Sequence, residues 1–122
     1  MKKYSTIISE LDYKIILKVK QLREDKGFSQ RELSGEMKLS KSFVGKVEAL
    51  GQPDKYSIRH LNLIAKALKM KSVIELIPKG VQEYDMIEIT YEKVPKLNKD
   101  GSESKQFEER IIEIKEIKSN SI

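Results

Sequence analysis

The chain contains no cysteine and a single histidine, His60. That excludes a disulfide framework, a thiol nucleophile and any metal cluster built from cysteine and histidine. Long hydrophobic runs are also missing: no apolar stretch exceeds three residues, Ile15 to Leu17 being an example. Neither a secretory h-region nor a membrane span fits that pattern, and the expectation is a cytoplasmic protein with no membrane partner. The sequence shows no nucleophile paired with a base, no phosphate-binding glycine loop and no metal-ligand spacing, and the adjacent acids Glu108 and Glu109 stand in a solvated run. An enzyme is therefore not expected, and no cofactor or metal is implied.

What is present is a short, charge-rich chain. Its 122 residues can bury one modest core and carry an appendage. The net charge of +5 is unevenly spread: residues 1–78 hold 16 Lys/Arg against 9 Asp/Glu, or +7, whereas residues 79–122 hold 8 against 10, or −2. A basic front segment attracts polyanions, nucleic acid first, although mixed surface lysines can produce the same excess.

Periodicity divides the front segment into helices. In YKIILKVKQLREDK, residues 13–26, Ile15, Val19 and Leu22 fall on one helical face, and Gly27 follows as a terminator. Upstream, Ile7, Ile8 and Leu11 have spacing that extends this helix backwards, with Ser5 or Ser9 as its cap. Ser29 and Glu32 form a capping-box pair, and Leu33 and Met37 give a second helix its inward face. Ser40 begins the pattern again, opening a third helix over 40–50 with Val44, Val47 and either Phe43 or Leu50 on its apolar side. After a loop containing Gly51 and Pro53, Ser57 caps SIRHLNLIAKALKM, and Ser72 caps the short SVIELI. Five short helices make a compact mainly α domain over residues 1–78.

The remainder, residues 79–122, reads differently. IEITYEKV alternates Ile87, Ile89 and Tyr91 against polar neighbours, which is strand periodicity; Asp100-Gly101 marks a turn, and FEERIIEIKEIK returns with Ile112 and Ile114. A long β-hairpin is the first expectation for this extension. A C-terminal helix is the alternative, because Phe107, Ile111 and Ile114 also follow helical spacing.

The stretch SQRELSGEMKLSKSFVGKVE, residues 29–48, resembles the helix-turn-helix of the lambda repressor and Cro-like proteins, the XRE family. The likeness rests on Gln30, Leu33, the small Ser34, Met37, the Leu39-Ser40 turn, Val44, Val47 and the closing Glu48, and it extends over about residues 13–77. Lys38 departs from it, since this turn commonly carries glycine for a positive φ. The resemblance implies a five-helix DNA-binding domain in which the second helix supports the third in the major groove. It implies a DNA-binding set of Gln30, Arg31, Ser40, Lys41, Ser42, Gly45 and Lys46, joined by Gln52 and Lys55 from the following loop. Gln30 suits a phosphate; Lys41, Ser42 and Lys46 suit base edges; Gly45 allows close approach. Glu48 is better read as structural, paired with a base such as Arg23.

A regulator of this kind, a repressor by the resemblance, binds double-stranded DNA as a homodimer on an inverted repeat, because one short helix sees few bases. Ile87, Ile89, Tyr91, Ile112 and Ile114 are the candidate dimerisation residues, unless the extension folds back over its own helical domain. The competing function is an antitoxin-like or phage accessory module whose protein partner is held by residues 79–122.

Overall fold

The structure, a computed structural model, describes residues 2–118. The chain runs β1 (Lys3–Ser9), α1 (Glu10–Asp25), α2 (Gln30–Glu36), α3 (Phe43–Glu48), α4 (Ile58–Ala67), a 3-10 turn (Val73–Leu76), β2 (Met86–Leu97) and β3 (Glu103–Glu116). This is an α+β fold, with a three-stranded antiparallel sheet in the order β1-β2-β3. It corrects the expectation of a mainly α, five-helix domain.

The error began at the N-terminus. Ile7 and Ile8 do not extend α1; they belong to β1, where Tyr4, Thr6 and Ile8 alternate inward opposite Tyr91, Ile89 and Ile87 of β2. Ladder bonds to a strand nearly eighty residues away satisfy this backbone, and no local periodicity records such a partner. Ser9 ends the strand and caps α1, its hydroxyl accepting from the Asp12 amide at 2.9 Å.

The hairpin expected over the C-terminal residues is present, with β2 and β3 joined by a turn in which Gly101 has φ 87°; the helical alternative does not form. Its position was not foreseen. β2 is the central strand, and Ile87, Ile89 and Tyr91 are 1%, 0% and 4% exposed in a core shared with Val19, Leu33, Val44 and Ile64. These three candidate dimerisation residues are spent inside their own chain. Ile112 and Ile114, on edge strand β3, remain 43% and 45% exposed. The sheet also takes one strand from before residue 78 and two from after it, so the segments divided there share one core.

Candidate nucleic-acid interface

The helix-turn-helix segment is held by interactions of unequal visibility in the sequence. At the start of α2 the capping box is complete: the Ser29 hydroxyl accepts from the Glu32 amide, and the Glu32 carboxylate accepts from the Ser29 amide, each at 2.9 Å. At its end, the Lys38 amide donates to Gly35 and the Leu39 amide to Ser34, the Schellman pattern, with Lys38 at φ 60°. The lysine adopts the left-handed conformation that glycine would take more easily, at a cost of about 1 kcal/mol.

Ser34 does more than leave space for a helix crossing. It is fully buried; its hydroxyl donates to the Gln30 carbonyl at 2.8 Å and accepts from the Val44 amide at 3.0 Å. The start of α3 is therefore capped from α2. This corrects the expected Ser40 cap and the expected helix over 40–50: α3 spans only Phe43–Glu48, and Ser42 at its N-cap makes no side-chain capping bond. Ser40 bonds instead to the Ser42 hydroxyl at 3.0 Å, and Lys41 and Ser42 lie in the turn that leads into α3.

Glu48 has the structural role expected of it. Arg23 donates to its carboxylate through Nε at 2.8 Å and Nη2 at 2.9 Å, while Nη1 donates to the Phe28 carbonyl at 2.7 Å. Burial works against the Arg23 charge, but the hydrogen bond and attraction of Glu48 outweigh it, and the pKa rises above its ordinary value. Gln30 joins this pair, its amide donating to Glu48 at 2.9 Å. Its carbonyl end then sits where a side chain on Gly45 would begin: an ideal Cβ there meets Gln30 Oε1 at 3.2 Å. Gly45 thus leaves room for Gln30 of the neighbouring helix, the crowding that is the alternative to close approach of DNA as a reason for glycine here.

These elements form a shallow groove of about 420 Å³ lined by Gln30, Arg31, Lys41, Ser42, Gly45, Lys46, Ala49 and Gln52. Seven of the nine residues expected to contact DNA are among them, and no carboxylate is. Three cations, on Arg31, Lys41 and Lys46, face one surface. The other two expected residues lie apart. Ser40 is outside the lining, and the Lys55 ammonium is folded onto the carbonyls of Gln52 and Asp54, at 2.9 and 3.3 Å. No protein-family model, curated protein or solved structure matches this chain. Among the described residues, no helix is long and apolar enough to cross a membrane.

A neighbouring cleft was not anticipated. Lys20, Glu48, Lys93, Lys96, Phe107, Glu108 and Glu109 line it together with Gln30, Gly45 and Ala49, three residues it shares with the groove. The hairpin is fastened there through Leu50, just past α3. Both Glu109 carboxylate oxygens accept from the Leu50 amide, at 2.9 and 3.1 Å, and the Tyr91 hydroxyl donates to the Leu50 carbonyl at 3.3 Å. Gly51 has φ 84°, and a Cβ there would meet the Tyr91 oxygen at 2.7 Å, so any other residue is strained and displaces that hydroxyl. The alternation of β2 signalled a strand, but its strand partners and the helix it touches are long-range facts.

Proposed function

We propose that this protein is a sequence-specific DNA-binding regulator, a repressor by its helix-turn-helix resemblance, acting as a cytoplasmic homodimer on an inverted repeat. The observation that carries the reading is the groove with three cations and no lining carboxylate, mounted on two short helices locked by Ser34 and by the Arg23–Glu48 pair. Lysine donates well to guanine O6 and N7, and exposed Lys41 and Lys46 stand in the turn before α3 and one turn inside it. Arg31 and Gln30, at the front of α2, suit phosphate contacts that fix register without reading sequence. Burial of Ile87, Ile89 and Tyr91 leaves the exposed edge of β3, with Ile112 and Ile114, as the surface for a second copy.

Binding of labelled duplexes tests the assignment of roles. Lys41→Ala and Lys46→Ala are expected to change sequence preference, each costing about 1–3 kcal/mol at its base step, whereas Arg31→Ala weakens specific and random duplexes alike. Equal losses on both duplexes for all three variants overturn it. The same β3 edge favours the second reading, a protein-partner module, for which purified full-length protein binds no duplex above the level of the Lys41/Lys46 double variant.

A further inference from the structure

We propose that the distal half of the β2–β3 hairpin is a second DNA-contact element, in which Lys93 and Lys96 bind phosphates beside the duplex segment held by α3. This rests on the DNA-binding reading and extends it to a surface outside the helix-turn-helix.

The hairpin leaves the core after Glu92, which is 8% exposed; Lys93, Lys96 and Leu97 beyond it are exposed. From Lys93 to Leu97 the strand advances roughly 13 Å at about 3.3 Å per residue, comparable to the width of a major groove, about 12 Å. It is tied to the turn just past α3: Glu109 accepts from the Leu50 amide and the Tyr91 hydroxyl donates to the Leu50 carbonyl, so both strands of the hairpin are anchored beside that helix. Gln30, Gly45 and Ala49 belong to both the groove and the cleft, so a duplex lying in the groove runs past Lys93 and Lys96.

The charges fit a polyanion. Lys20, Lys93 and Lys96 line the cleft, and none of them forms a salt bridge among the described residues. The Lys93 ammonium stands 5.0 Å from the Tyr4 ring centre, a contact that holds the side chain in place and leaves its charge unneutralised. Of the three acids in the cleft, Glu48 is neutralised by Arg23 and Glu109 is bonded to the Leu50 amide. Glu109 keeps its negative charge in that bond, so Glu108 and Glu109 both oppose the lysines, which outnumber them three to two. At the tip, the Asp100 carboxylate accepts from the amide and hydroxyl of Ser102, at 2.9 and 2.6 Å, and is tied into the turn.

The test compares full-length wild type, Lys93→Gln/Lys96→Gln, Lys93→Arg/Lys96→Arg and Lys41→Gln/Lys46→Gln on a selected and a random duplex of about 30 bp across a salt series. Losing two phosphate contacts lowers the slope of log K against log salt by about 1.8. The glutamine hairpin variant is expected to show that loss on both duplexes with its base preference unchanged, and the arginine variant to restore the slope. Since Lys93 and Lys96 are exposed, circular dichroism of each variant should match wild type. If Lys41→Gln/Lys46→Gln loses binding while the hairpin variant keeps both affinity and slope, the hairpin inference fails alone. If the hairpin variant binds more tightly, the hairpin obstructs the duplex and the inference is wrong. If neither variant differs from wild type on any duplex, the DNA-binding reading itself fails.

Discussion

Replacing Ser34 with alanine removes one oxygen from the junction of α2 and α3. The site is fully buried, so water cannot take over the bond that Ser34 makes to the Val44 amide at 3.0 Å. A buried donor left without a partner costs about 1–3 kcal/mol, and alanine returns a few tenths through its better helix propensity. The expected net loss is about 2 kcal/mol. Urea denaturation followed by circular dichroism measures it: with a slope of roughly 1.5 kcal/mol per molar, the midpoint should fall by about 1.3 M. Ser42→Ala and Ser40→Ala are the controls, because neither hydroxyl caps the helix; each should change stability by less than about 0.5 kcal/mol. A Ser34→Ala midpoint within error of wild type, or a Ser42→Ala loss as large as that of Ser34→Ala, refutes the cross-helix cap.

Gly51→Ala should destabilise by at least about 1–2 kcal/mol from its positive φ alone and should also displace the Tyr91 hydroxyl; a thermal midpoint equal to wild type contradicts this. Tyr56 is buried and its hydroxyl has no hydrogen-bond partner among the described residues, so Tyr56→Phe should be neutral or gain about 1 kcal/mol, and a clear loss in urea denaturation refutes that. His60 accepts from the Ser57 amide through Nδ1 at 3.0 Å, and its pKa is lowered, by burial first and then by Arg59. The neutral ring is therefore the bonded form: its stabilisation is full above the unfolded pKa of about 6.5 and is lost as pH falls through the lower folded pKa. His60→Glu, which keeps a capping-box acceptor, should move that loss to lower pH; an unchanged stability profile between pH 7 and 5 in both proteins contradicts the assignment.

Local chemistry was legible in the sequence wherever partners lie within a few residues. Ser29 with Glu32, Ser57 at the start of α4 and Gly27 after α1 carry their signals in short windows, and all three act as expected. The alternation around Ile87 and Ile89 specified a strand but not which surface would cover it. The missing information was β1, because the spacing of Ile7, Ile8 and Leu11 suits a helix when its strand partner is out of view. Once β1 pairs with β2, the inner face of the sheet closes over the helices, and residues that resembled a dimer interface become core. Seven of the residues expected to share a surface do line one groove, because α2, the turn and α3 are adjacent in sequence. Ser34 as a cap, Gly45 as space for Gln30, and Lys93 and Lys96 beside the groove depend on contacts between separate elements.

Selection from a random duplex library with full-length protein at near-physiological salt, followed by sequencing of the retained strands, tests the central claim most directly. The account predicts enrichment of an inverted repeat with half-sites about 10 bp apart, lost when Lys41 and Lys46 are replaced. Retained duplexes with no shared sequence, held only by weak and steeply salt-dependent binding, would contradict it.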